Sequence, residues 1–194
     1  MTIRGCAVAM KLGLSVFALF VFLSACGSSE KPELILTSNG LGSIGAGTTY
    51  SVEAVSEALP GYEITAETYY PEGYPHPMIV VREGDETIAY VYPSLEGDDK
   101  IRSVSVVTTR ATFEGKFSLG NSYTHVMPDY QTCLAGFEFE LGSVFCRDRV
   151  LHNVYFEFFP SDAGLRDEYL GVVPPEHELA QYVVVSINWH RVDR

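Results

Sequence analysis

The stretch Met78-Ile-Val-Val-Arg-Glu-Gly-Asp-Glu-Thr-Ile-Ala-Tyr-Val-Tyr92 decides the fold class. Two runs rich in β-branched and aromatic residues flank Glu83-Gly84-Asp85-Glu86, which supplies the Gly and Asp that a tight hairpin turn needs. Strands are predicted at Met78–Arg82 and Thr87–Tyr92. Working outward, a two-residue period or a solid apolar run predicts further strands at Tyr62–Tyr69 and Ile101–Val107. The links between them are short and no helix intervenes, which favours antiparallel pairing.

Upstream, Leu34 to Thr37 reads as a short strand and Gly40 to Gly47 as a Gly-rich turn region. Thr48 or Thr49 is placed to cap a helix through Leu59, with Val52, Val55 and Leu59 on one face and Pro60-Gly61 ending it. The pattern then recurs. Gly42 to Tyr50 lines up with Gly115 to Tyr123, and Gly61-Tyr62-Glu63-Ile64 with Gly136-Phe137-Glu138-Phe139. Tyr92-Pro93-Ser94 matches Phe159-Pro160-Ser161, and Ser103 to Val106 resembles Val184 to Ile187. Asn121 or Ser122 would cap the second, shorter helix, disturbed by Pro128. The expectation is α+β: a duplicated helix-plus-antiparallel-sheet unit with helices on one face of the sheet. The single domain would span 34–194, with half-repeats at about 40–110 and 111–194.

The first 25 residues lie outside that domain. Arg4 and Lys11 precede an apolar run from Leu12 to Leu23, too short and wrongly flanked for a stable span. Leu23-Ser24-Ala25-Cys26 then resembles the lipobox of bacterial lipoproteins. That resemblance implies that residues 1–25 are a signal peptide, that Cys26 is the lipidation site and the first mature residue, and that the membrane is reached through its lipid. Residues 26–33 read as a polar, lipidated tether. Gly27 follows Cys26, where an Asp would favour inner-membrane retention in that class. The expected address is the cell envelope, in the outer membrane facing the periplasm.

Export fits the bulk numbers. Without residues 1–25, 25 acidic residues face 11 Lys and Arg. So negative a surface repels DNA, RNA and anionic head groups, and nucleic-acid partners are not expected. Apart from Cys6 and Cys26, the cysteines are Cys133 and Cys146. In an oxidising compartment a disulfide is the leading reading. A zinc pair or a reactive thiol are the alternatives, but neither Cys has a second Cys or a His at ligand spacing.

Motifs with chemistry are weaker. Gly40-Leu-Gly42-Ser-Ile-Gly45 formally matches a dinucleotide fingerprint, but the strands after it read as a hairpin and the repeat offers a turn as the simpler cause; no cofactor is expected. His76, His125, His152, His177 and His190 are scattered without metal-ligand spacing, so no metal is expected. Glu138 and Glu140 alternate with Phe137 and Phe139, placing both carboxylates on one face of a strand, the pattern of any half-buried strand as much as of an acid–base pair. Ser43 has no nearby base, and no catalytic residue is nominated. The candidate interaction loop runs from Thr68 to Pro77. Tyr69, Tyr70, Tyr74 and His76 stand there among stiffening prolines, either to meet a partner or to pack as a lid on the sheet edge.

Gly40-Leu41-Gly42, Thr48, Ala58-Leu59-Pro60-Gly61-Tyr62, the spaced Cys133 and Cys146, and the closing Ser186-Ile187-Asn188-Trp189 together resemble the domain-of-unknown-function 1131 family. Its enterobacterial member is a sigma-E-regulated lipoprotein. The family brings no established activity and no catalytic residues; it implies an envelope lipoprotein connected with envelope stress. At the level of fold, tandem units with a turn, a helix and antiparallel strands also look like β-lactamase inhibitor proteins and small outer-membrane assembly lipoproteins. The functional expectation is a non-enzymatic binding or assembly protein with an envelope protein or cell-wall partner. The alternatives are an envelope hydrolase with a carboxylate or His site, favoured by a deep pocket at Glu138, Glu140 or His152, and a carrier of a small apolar ligand between helix and sheet.

Overall fold

A computed structural model describes residues 33–70, 73–161 and 167–192. The expected signal peptide over residues 1–25, Cys26 and residues 27–32 of the expected tether lie outside the described residues.

The quoted hairpin forms as its turn chemistry demands. β-strand residues His76–Glu83 and Glu86–Pro93 pair antiparallel, closing at Glu83 opposite Glu86. Gly84 sits in the turn at φ 59°, a conformation that costs glycine little. In chain order the strands are β1 (Ile35–Thr37), β2 (Gly40–Leu41), β3 (Ile44–Gly45), β4 (Glu63–Tyr69), β5 (His76–Glu83), β6 (Glu86–Pro93), β7 (Ile101–Val106), β8 (Thr112–Phe113), β9 (Asp129–Ala135), β10 (Val144–Arg147), β11 (Val154–Pro160) and β12 (Tyr182–His190). They build an eight-stranded antiparallel sheet in the order β4-β5-β6-β7-β12-β11-β10-β9 and a four-stranded sheet in the order β3-β2-β1-β8. The large sheet is thus two four-strand meanders meeting at β7 and β12.

This corrects the expected α+β fold of duplicated helix-plus-sheet units. The structure is mostly β, with two sheets and only two α-helices among the described residues. The helix α1 covers Val52–Ala58 and α2 only Tyr123–Val126, too short to form a layer on a sheet. Thr48 does not cap α1. Its hydroxyl accepts the Gly45 N–H at 3.0 Å, and Ser51 caps instead by accepting from Ala54 N–H at 3.1 Å. Met127 turns left-handed at φ 50° after α2, and Pro128 follows. The layer expected of helices is supplied largely by the small sheet. Ser38-Asn39 turns β1 onto β2, and Gly42-Ser43 turns β2 onto β3.

The core lies between the two layers. Ile79, Val91, Val104, Trp189 and Val154 stand in one transverse row of the large sheet, and Val81, Ala89, Val106, Ile187 and Phe156 in the next. All are buried, together with Leu34, Leu36, Leu41, Ile44, Val55, Leu59 and Phe113 from the covering layer. Phe113 meets Phe156 edge to face at 5.3 Å, and the Trp189 indole N–H donates to the Ser38 carbonyl at 2.8 Å. One continuous cluster joins both sheets, so residues 33–192 carry their own core.

Cys133 and Cys146 form a disulfide between β9 and β10. The pairing shifts register between Phe145 and Arg147, and the Thr132 hydroxyl fills in by accepting the Arg147 N–H at 3.0 Å. The chain between the two cysteines does not continue as a strand through Glu138 and Glu140. It folds into a 3-10 turn at Glu138–Glu140, correcting the alternation expected there. Gly136 permits this: a Cβ would overlap the Glu140 carbonyl, and its N–H donates to Ser143 O at 2.8 Å.

Candidate functional site

The core occupies one face of the large sheet; the other face carries polar and aromatic side chains, because every second residue of its central strands is hydrophilic or tyrosine. In register, Tyr90, Ser105, Asn188, Tyr155 and Arg147 form one row, and Tyr92, Ser103 and His190 the next. A groove of about 660 Å³ lies on this face, walled by Tyr69, Pro77, Tyr92, Pro93 and Leu95, with His76, Ser94, Arg102, Ser103 and His190 as its polar groups. It continues through Tyr92, Ser103 and His190 into a recess of about 350 Å³ that reaches Tyr155, Glu157, Asn188 and Glu140.

Strand ends position the first wall. Tyr69 and His76 are cross-strand partners at the tip of the β4–β5 hairpin and both line the groove. Tyr70 and Tyr74 lie in the connection between them, are exposed, and are not among the lining residues. The candidate interaction loop therefore divides: half of its named side chains belong to the sheet and half to the turn.

The middle of the groove is built from groups that stay neutral near pH 7. Burial pushes the Tyr92 phenol up to about 12, with Tyr90, Tyr69 and Glu140 adding to the rise. Burial also lowers the His190 imidazole, helped by the nearby Arg102 charge. A neutral imidazole keeps one donor and one acceptor. Its ring packs edge to face with Tyr155 at 5.1 Å. Tyr155 in turn accepts from Arg147 Nη2 at 2.9 Å and lies 5.2 Å beneath the guanidinium.

The far end is acidic. The 3-10 turn brings Glu140 to the recess, where burial and then the charge of Glu157 raise its carboxyl. The residue keeps solvent contact, so its desolvation is partial. Glu157 is committed: one oxygen accepts from Ser143 Oγ at 2.7 Å and the other from Ser186 Oγ at 2.6 Å, both serines being buried. Asn188 Nδ2 donates to Ser186 Oγ at 2.9 Å and extends the network.

Of the other groups singled out in the sequence, Glu138 and His152 do not line the groove, and Ser43 sits exposed in the β2–β3 turn. His125 packs against Phe117 at 5.6 Å, and His177 is exposed beside Glu178. Among the described residues no group of three or more His, Cys, Asp or Glu side chains is placed to hold a metal ion. Among those same residues no helix is long and apolar enough to cross a membrane.

No family model and no curated protein matches the chain. Among solved structures, the uncharacterized protein YfeY from Escherichia coli is similar. It shares 18% sequence identity, with a TM-score of 0.65 over 80% of this chain and 99% of that one. At that identity the likeness establishes the fold.

Sequence reasoning missed Tyr92, Arg102, Ser103, Tyr155 and Glu157 as groove residues, and weighed His190 only as one of five scattered histidines. The signal was present as alternation: Ser103 and Ser105 interleave with Val104 and Val106, and Asn188 and His190 flank Trp189. What it could not supply was the partner strand. Only the β7–β12 pairing, across more than eighty residues of chain, sets Ser103 beside His190.

Proposed function

We propose that this chain is a non-enzymatic envelope lipoprotein whose binding surface is the groove on the open face of the large sheet. The groove carries the reading. It joins apolar aromatic walls to a few converging hydrogen-bonding groups at a volume typical of ligand sites. Tyrosine gives large contact area at low entropic cost and keeps its hydroxyl available. The lipobox-like Leu23 to Cys26 supports anchoring through lipid, and Gly27 supports the outer membrane facing the periplasm. The resemblance to the domain-of-unknown-function 1131 family supports a connection with envelope stress. The partner is an envelope component, protein or cell wall, and no nucleic acid.

The test is a photoreactive amino acid at Ser103, in the groove, and at Glu53, exposed on α1 across the core. Crosslinking in the native envelope should capture a defined species from Ser103 and not from Glu53. Equal capture from both, or none from Ser103, would sink the reading. Loss of acyl labelling in Cys26→Ser tests the anchor separately.

A carrier reading would take the groove on the open sheet face as its site in place of the space between helix and sheet expected from the sequence. One observation favours a hydrolase as second reading, namely Glu140 with its raised carboxyl beside Glu157. Against it, both Glu157 oxygens are occupied by serine hydroxyls, which leaves Glu140 without a free carboxylate partner.

A further inference from the structure

The cations of this acidic chain are mostly engaged. Arg82 holds Glu67 at 2.6 Å, Arg110 holds Glu83 and Glu86, and Arg147 donates to Tyr155. Arg191, with a side chain only 10% exposed, is committed to Asp98 at 2.8 Å. Arg102 differs. Among the described residues its side chain makes no ion pair and no hydrogen bond, although it lines both the groove and an adjoining recess of about 240 Å³. Arg102 is exposed, so water solvates its guanidinium; what singles it out is its place on the wall of an aromatic groove, where, among the described residues, it is the one cation free to meet an anionic ligand.

We propose that the groove takes an amphipathic monocarboxylate, with its carboxylate on Arg102 and its apolar body along Tyr69, Pro77, Tyr92 and Leu95. This rests on the groove being the binding surface, and names a small amphiphile in place of a protein or cell-wall partner as its occupant. Three features select that chemistry. The lining is apolar except at its polar floor, so the ligand's body is apolar. The groove offers one uncommitted guanidinium beside a His190 that burial keeps neutral, which matches a single negative charge and a planar, bidentate head. The opposite end carries Glu140 and Glu157, so a carboxylate is repelled there. At the Arg102 end the recess also holds Glu96, but its carboxylate lies 3.7 Å from Arg191, which offsets it and leaves the Arg102 end the favoured one.

The experiment uses residues 27–194, which retain every described residue and the whole core. Dansyl-labelled undecanoic acid and its methyl ester are titrated by fluorescence against the wild-type chain, Arg102→Gln and Tyr92→Ala. The acid should bind at least about tenfold more tightly than the ester, the scale of one hydrogen-bonded charge. Arg102→Gln should erase that preference, bringing the acid and the ester to equal affinities, and Tyr92→Ala should weaken both probes. Equal affinities for acid and ester, or a preference that survives Arg102→Gln, would overturn the carboxylate proposal. If neither probe binds while Ser103 still crosslinks an envelope component, the groove reading stands and this proposal falls. If both probes bind and Tyr92→Ala weakens neither, the groove itself is not the site.

Discussion

Removing the Cys133–Cys146 disulfide is the perturbation whose size follows most directly from the structure. The two cysteines are 13 residues apart in sequence and close a single loop between neighbouring strands. On the chain-entropy model, freeing a loop of that length in the unfolded state costs about 3 kcal/mol of stability. Cys133→Ser with Cys146→Ser is the variant, since it leaves no lone thiol. Cys146 is fully buried, so a polar hydroxyl there adds to the loss, and Cys146→Ala with Cys133→Ala separates the two effects. The assay is urea unfolding followed by circular dichroism. With a slope of about 1–3 kcal/mol/M, the midpoint should fall by about 1–3 M. The entropic account also requires a steeper slope, because the uncrosslinked chain exposes more surface when unfolded. An unfolding free energy unchanged within about 0.3 kcal/mol, after confirming that the wild-type thiols resist alkylation, would refute the reasoning.

Three further outcomes follow from particular contacts. Trp189→Phe removes the indole donor to Ser38 and leaves space in the core; because Asn153 also donates to that carbonyl, the loss should be about 1–3 kcal/mol by thermal or urea unfolding. His190 has a folded-state pKa below its unfolded value, so the stability it carries is present above about pH 6.5 and declines as pH falls below that. His190→Gln should therefore flatten the stability profile between about pH 6.5 and 5, and a profile identical to wild type would contradict the assigned burial. Glu140 has a raised folded-state pKa, so wild type loses stability as pH rises through it. Glu140→Gln should gain on wild type across that rise and show no gain in acid, measured by unfolding midpoints across the series.

Local patterning made the strands legible. The Glu83-Gly84-Asp85-Glu86 turn and its flanking runs gave β5 and β6 to within a few residues at each end, and the period of two found β4 and β7. The layer opposite the sheet was not legible in the same way. Leu34 to Thr37 reads as a strand and β1 forms there, but Leu41 and Ile44 sit on strands of two residues, too short for any periodicity, and the glycines around them suggested a turn before a helix. The Val52, Val55 and Leu59 face was real, but α1 spans only Val52–Ala58 because Thr48 is spent on the preceding turn. The groove was half visible. Tyr69 and His76 were picked out for their composition, whereas His190, Ser103 and Tyr92 meet only through strand pairing between distant segments. Glu140 reached the recess by a route that period-two reasoning excludes, since Gly136 lets the chain turn where alternation suggested a strand.

The central claim is that the open face of the large sheet is covered by a partner in the cell. It is tested most directly by thiol labelling of Ser103→Cys and Glu53→Cys, with the native disulfide intact, in the native envelope and after purification. The account predicts that the Ser103→Cys thiol alkylates several-fold more slowly in the envelope and recovers on purification, while Glu53→Cys reacts at the same rate in both. Equal rates for Ser103→Cys in the envelope and in the purified protein would contradict it.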